Sequence, residues 1–375
     1  MLEKTNWVTP YKIALFIYIT YLECFYLTNF NVAAGKLSKI ILIIVLVLLG
    51  LKEYIKLYNS PRIQLRGLIL GIIFMTIVYL AFRYTYGWPL MVTYLFVISS
   101  RDVRTKDILF PFLYAAGLVI VATILCSQIG LISSYTLYDR GRLRNSMGFL
   151  YPSHPEHIFF FWTSAYLVLR GRSIKYGEIV FLSAINFYLY KNALTKDPFF
   201  LTLIILLIAI LLKLKPNALS NKIYKFVSNC SFLVLPIITY LFVYKFPINN
   251  IYFLVDKWTS GRVALAANAL DKYGIHMFGQ NVHFVTRATT NLFTAYDYVD
   301  SGYIQSLVVY GFIFTVVLLF LYTKVILNLN NHNQILLSTI LFMIAIYNMA
   351  DPSLPYLWYN PFLLLCGKFF CEDKE

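Results

Sequence analysis

The chain has 375 residues, of which 59% are hydrophobic and only 13% charged, with a mean hydropathy of +0.68. An ordinary soluble domain is closer to half apolar and a quarter charged, so the composition excludes one and marks an integral membrane protein. The net charge of +15, from 32 Lys and Arg against 17 Asp and Glu, is in a polytopic chain the sign of loops held on the cytoplasmic side. No basic stripe on a soluble module points to a nucleic acid.

In chain order, apolar runs bounded by charge, Gly, Pro and Asn predict spans near 11–30, 38–55, 67–82, 86–99, 108–129, 156–169, 176–190, 198–212, 226–244, 302–322, 334–350 and 356–371. At about 20 residues each these use roughly 240 residues and leave no room for a separate soluble domain. The expected fold class is therefore an all-α polytopic membrane protein of about 12 transmembrane helices, a single integral membrane domain over 1–375. It carries two long extracytoplasmic loops, 130–155 and 245–301. The first apolar stretch has no A-x-A-like cleavage site behind a short apolar region, so it reads as a retained helix. Cys24, Cys126, Cys230, Cys366 and Cys371 fall in or beside apolar runs and read as packing residues, not a disulfide framework.

Orientation follows from charge. With a cytoplasmic N-terminus, 19 of the 32 Lys and Arg lie inside, and eight of the other 13 sit in the two long segments. The short outer loops are thus poor in basic residues, as the positive-inside rule requires, and both termini are expected to be cytoplasmic. Only Glu23 lies clearly inside a span. An intramembrane carboxylate is a functional candidate by default; the structural alternative is pairing with a neighbouring Tyr.

The first long loop carries Arg140, Arg142 and Arg144 within five residues on the outer side, against the orientation set by the other loops. An anionic ligand would compensate, since guanidinium groups grip phosphate oxygens bidentately; anionic lipid headgroups are the alternative. Ser153 and Glu156, with Pro155 between them, match a capping box that opens the next helix. His154 and His157 lie three apart, a weak metal signal without further ligands, and no metal or other cofactor is expected. The second long loop carries Ser260-Gly261-Arg262, Phe278-Gly279-Gln280, His276, His283, and Asp297 to Tyr303 before a span. Between them, 262–271 has good helix formers at apolar spacing and predicts an amphipathic helix lying on the membrane surface.

At these residues the chain resembles the Wzy-type polymerases, which join lipid-linked oligosaccharide repeat units into capsular or exopolysaccharide chains, especially those of low-GC Gram-positive bacteria. The anchors are Arg144 followed by Ser146-Met147-Gly148-Phe149 and Pro152, then Ser260-Gly261-Arg262, Phe278-Gly279-Gln280, and Asp300 with Tyr303 and Gly311. The family's His-Pro-Asn element reads Tyr151-Pro152-Ser153 here, so His154 stands in for its histidine if anything does. The resemblance covers most of the chain. It implies a membrane glycosyltransferase of the bacterial cytoplasmic membrane that polymerises undecaprenyl-diphosphate-linked repeats at the outer face. Membrane lipids, and a flippase and chain-length regulator of the same pathway, are the implied partners. The resemblance also implies Arg142, Arg144 and Arg262 at the lipid diphosphate, and a base drawn from Asp300, His154 and His283 in that order. Two other readings compete: a lipid-linked glycan ligase, and a flippase or secondary transporter. A transporter needs polar groups near the midplane and often broken helices, which the apolar runs do not suggest.

Overall fold

The computed structural model describes residues 7–30, 36–59, 65–85, 87–139, 141–246, 250–286 and 296–370; Arg140 and Cys371 lie outside the described residues. Among the described residues there are fourteen α-helices. They are α1 (Val8–Leu27), α2 (Lys36–Asn59), α3 (Leu65–Phe82), α4 (Trp88–Ser99), α5 (Thr105–Gln128), α6 (His154–Arg170) and α7 (Tyr176–Ala193), followed by α8 (Lys196–Leu214), α9 (Lys222–Tyr244), α10 (Asn250–Trp258), α11 (Arg262–Tyr273), α12 (Gly302–Val309), α13 (Phe312–Asn331) and α14 (Ile335–Tyr347). A single hairpin pairs β1 (Thr136–Asp139) antiparallel with β2 (Arg142–Asn145).

Five helices, α3, α5, α8, α9 and α13, are long and apolar enough to cross a membrane. At 1.5 Å per residue their lengths reach about 27–36 Å, the scale of a bilayer's hydrocarbon core. Large apolar side chains such as Ile72, Leu118, Leu207 and Leu233 stand bare on these helices. On a soluble protein so much exposed apolar surface is an aggregation liability; on a membrane helix it faces lipid. The chain is a predominantly helical, membrane-embedded protein.

It divides into two compact units. The first takes Met1–Leu68, Leu95–Leu219 and Leu357–Glu375. Here α1 packs on α2 and α5, α5 on α6, and α6 on α7 and α8. Glu23 of α1 is fully buried, and neither carboxylate oxygen has a hydrogen-bond partner among the described residues, so pairing with a tyrosine, the structural alternative for it, is not made. Nor is Glu23 the one charge drawn into a helical core. Lys52 of α2 is completely buried, donating to Ser99 O over 2.7 Å and to Glu53 over 2.8 Å. The last apolar run is not an α-helix but a 3₁₀ segment, Pro361–Phe370. Ser100 Oγ donates to Leu364 O over 2.6 Å, and a Cβ on Gly367 would overlap Val97 O, so close approach by the 97–101 backbone shapes this segment.

The second unit takes Ile69–Tyr94 and Ser220–Tyr356. Its centre is α9, against which α11, α12, α13 and α14 pack. The predicted helix over 262–271 is present as α11. Its small apolar residues, Val263, Ala266, Ala267 and Ala269, are packed with Val243 of α9 and with Ile304 and Val308 of α12. That apolar face is therefore covered by protein and not free to lie in a membrane surface. The run expected as one span over 302–322 is broken at Gly311, which adopts φ +86°. A Cβ there would lie 2.5 Å from the Phe278 carbonyl carbon, because the 276–278 backbone crosses at this point: Phe312 N donates to His276 O and Ile313 N to Met277 O. Helices α4, of 12 residues, and α14, of 13, are shorter than the roughly 20 residues a crossing needs.

Candidate functional site

In the first unit, the segment expected as a plain outer loop is built on the hairpin. Its register sets Asp139 opposite Arg142 and Leu137 opposite Arg144, and Gly141 takes the left-handed conformation at the turn, φ +76°. Ser146 then ties the hairpin's base: its N–H donates to Tyr135 O over 2.9 Å, and its Oγ accepts from Tyr135 N over 3.0 Å. The chain turns through Met147 and Gly148, both at positive φ. Gly148 is required there. A Cβ would fall 2.8 Å from Ile132 Cδ1 and 3.0 Å from Thr123 O, and the Gly148 carbonyl accepts from Asn29 N over 2.9 Å.

Arg144 points inward. It is 6% exposed, donates through Nε to Ala193 O over 2.7 Å and through Nη2 to Thr195 Oγ1 over 3.0 Å, and stacks its guanidinium over the Tyr151 ring. It fastens the hairpin to the turn between α7 and α8. Arg142 is half-buried and makes a longer bond, 3.4 Å, to Leu194 O. Tyr135, at the hairpin's base, has its phenol raised above the ordinary range, first by burial and then by the neighbouring Tyr151.

After buried Pro152, helix α6 opens at His154 with Pro155 in its first turn. The capping box is not formed. Ser153 sits in a helical backbone conformation, φ −78° and ψ −20°, and makes no side-chain cap bond. Glu156 is buried instead. His154 Nδ1 bonds the Tyr359 hydroxyl at 2.7 Å, and His157 packs its ring 5.7 Å from the same tyrosine. His154 precedes the apolar run of α6, and burial lowers its imidazole below the ordinary value, so it is neutral at physiological pH.

In the second unit the separated motifs meet. Ser260 and Gly261 both adopt positive φ, 62° and 85°, and turn the chain from α10 into α11, whose start is capped by Asp256 accepting from Ala264 N over 2.9 Å. Arg262, the first residue of α11, donates through Nε to Asp300 Oδ2 over 3.3 Å; the two side chains remain 29% and 28% exposed. Gly279 lies against α3, where a Cβ would overlap Ala81 O, and its N–H donates to Leu80 O over 3.2 Å. Gln280 closes the crossing: its backbone N–H donates to Val309 O over 3.2 Å, and Nε2 donates to Val308 O over 2.8 Å and to Gly274 O over 3.3 Å. Tyr303 is buried and donates to Ala345 O over 2.7 Å.

Within this unit, then, Arg262 and Asp300 are brought together, while Gly279, Gln280, Tyr303 and Gly311 hold the backbone around them. His283 is exposed; its carbonyl accepts from Tyr273 over 3.0 Å. His276 is likewise exposed and engaged through its backbone. The partners that sequence reasoning missed are Tyr359 and Thr195 in the first unit and Asn348 in the second. The turn-rich Asn348-Met349-Ala350-Asp351-Pro352 was a usable signal; Tyr359 and Thr195 carry none. No family profile, curated protein or solved structure matches the chain.

Proposed function

We propose that the chain is a polysaccharide polymerase of the bacterial cytoplasmic membrane, joining undecaprenyl-diphosphate-linked oligosaccharide repeats at the outer face. The topology that goes with this reading has cytoplasmic termini and the segments 130–155 and 245–301 outside. The observation that carries it is the Arg262–Asp300 contact. Two elements that match the Wzy-type pattern from places 38 residues apart are in bonding contact, and both side chains are partly exposed.

In the reaction, the bond from the donor chain's anomeric carbon to its diphosphate oxygen breaks, and a bond from that carbon to an acceptor hydroxyl oxygen forms. Undecaprenyl diphosphate leaves and the hydroxyl proton passes to a base. Charge builds on the departing diphosphate, so guanidinium donors lower the barrier electrostatically. Arg262 serves that role in the second unit, and Asp300, held by it, takes the proton. Within the first unit, Arg142 is the more open of the two arginines and is the one proposed to meet a diphosphate. Arg144, being buried, holds the hairpin that presents Arg142. His154 is a weaker base, since its imidazole is held neutral with Nδ1 engaged.

Deleting the gene tests the reading in the cell. Surface polysaccharide should fall from a long ladder to single repeats, with lipid-linked repeats still reaching the outer face. Repeats trapped at the cytoplasmic face would instead identify a flippase.

A further inference from the structure

Helix α10 follows a membrane-crossing helix and is itself too short to cross. Its nine residues make about 14 Å of helix against a hydrocarbon core of about 30 Å. Two ring contacts hold it at the C-terminal end of α9: Phe242 meets Tyr252 edge-on with centroids 5.4 Å apart, and Phe246 meets Phe253 at 5.3 Å. Val255 packs on the cluster around Val263, and Asp256 accepts from Ala264 N, so these two residues turn toward α11.

Another side of α10 is apolar and exposed. Ile251, Leu254 and Trp258 recur at i, i+3 and i+7, the spacing of one helix face, and are 64%, 47% and 75% exposed. On α9, the exposed residues Leu233, Ile237, Leu241 and Tyr244 form a lipid-facing stripe that runs to its last residue, in the turn whose Phe242 holds α10. The apolar face of α10 therefore stands where that stripe ends, at the boundary between acyl chains and headgroups. Lys245 and Lys257 are exposed here, whereas Asp256, the only carboxylate in α10, is engaged in capping α11. By contrast, the exposed residues of α11 are Asn268, Asp271 and Lys272, all polar. Tryptophan and tyrosine favour the interfacial layer, and lysine reaches from it toward anionic headgroups. A lipid surface is already required by the stripe on α9, so no further partner is needed to cover α10.

We propose that α10 is an interfacial helix. Ile251, Leu254 and Trp258 enter the leaflet at the C-terminal end of α9, and Lys257 meets its headgroup phosphates. The role expected of 262–271 thus passes to the neighbouring helix. Through the short Ser260-Gly261 turn, the seated helix fixes Arg262 close to the headgroup plane. This membrane contact holds whichever reaction the chain performs.

Nitroxide labels on Leu254→Cys and Asn268→Cys test it, each in full-length cysteine-free protein in liposomes of phosphatidylethanolamine and phosphatidylglycerol. Power-saturation EPR compares collisions with oxygen, which concentrates in lipid, and with a nickel chelate, which stays in water. Position 254 should favour oxygen, at a depth of about 5–10 Å when calibrated with spin-labelled lipids, and position 268 should favour nickel. The same nickel preference at both positions would put the face in water and overturn the proposal. Exclusion of both reagents at 254 would show that protein covers the face, as in a dimer of this chain, and would overturn it equally. Ile251→Cys, on the same face, supplies the reading should Leu254→Cys not fold.

Discussion

Arg262 donates through Nε to Asp300 Oδ2 over 3.3 Å, joining the first residue of one helix to the residue two before the start of another. Neither side chain is buried by the contact, and each orients the other. In the proposed reaction that pairing orients the Asp300 carboxylate and aims the guanidinium fork of Arg262 at a phosphate.

Arg262→Ala should reduce linkage formation by about 10²- to 10³-fold, the usual effect of removing one transition-state donor. Arg262→Lys should recover little of it, since lysine keeps the charge and loses the planar fork. Asp300→Asn preserves shape and removes basicity, and should lose activity across pH 5 to 8, while His283→Ala stays near wild type. Because the two groups touch, the double variant should lose less than the product of the single losses. Rates of repeat joining by the purified variants provide the check.

Arg144 and Arg142 should separate by stability. Arg144→Ala removes two charged hydrogen bonds from a buried site and should lower stability by about 2–4 kcal/mol. Arg142→Ala removes one long, half-exposed bond and should stay within about 0.5 kcal/mol. Thermal melts in one detergent compare the two. Equal melting temperatures would remove Arg144 from the framework of the hairpin.

Glycines provide a third check. Gly279→Ala places a methyl group on Ala81 O and should prevent folding or shift the 276–280 backbone off α3. Gly50→Ala, in α2, meets nothing within 4 Å and should be neutral or stabilising by up to about 1 kcal/mol. Yield and melting temperature of the two variants should therefore move in opposite directions.

Topology is tested by labelling with an impermeant thiol reagent in a cysteine-free background. A Cys at exposed Ser260 should label in intact cells, and one at Asn217, between α8 and α9, only after permeabilisation. The reverse pattern would put the Arg262–Asp300 pair on the wrong side for an outer-face reaction.

Helix content was legible wherever an apolar run was both long and uninterrupted: α3, α5, α8 and α9 follow the runs read from the sequence. α11 was legible too, from alanine-rich apolar spacing, although its face packs on protein. What was hidden depended on partners distant in sequence. Nothing local in 302–322 announces that the 276–278 backbone will cross at Gly311, and nothing in 361–370 announces Ser100. The hairpin had a signal in the short Leu137 and Leu143 segments flanking Gly141, but four-residue strands are too brief to separate from loop. Ser153 and Glu156 satisfied the capping pattern by spacing alone; a helical backbone at Ser153 and the burial of Glu156 decided otherwise. For the candidate site, the residue types were legible through the resemblance, while the Arg262–Asp300 contact is a product of the fold.

The most direct measurement places purified wild-type protein in liposomes with a synthetic undecaprenyl-diphosphate-linked repeat and follows both the glycan and the released lipid. The account predicts a ladder of lengthening chains, with one undecaprenyl diphosphate released for every linkage made. Single repeats alone, with folded protein present and no lipid diphosphate released, would contradict it.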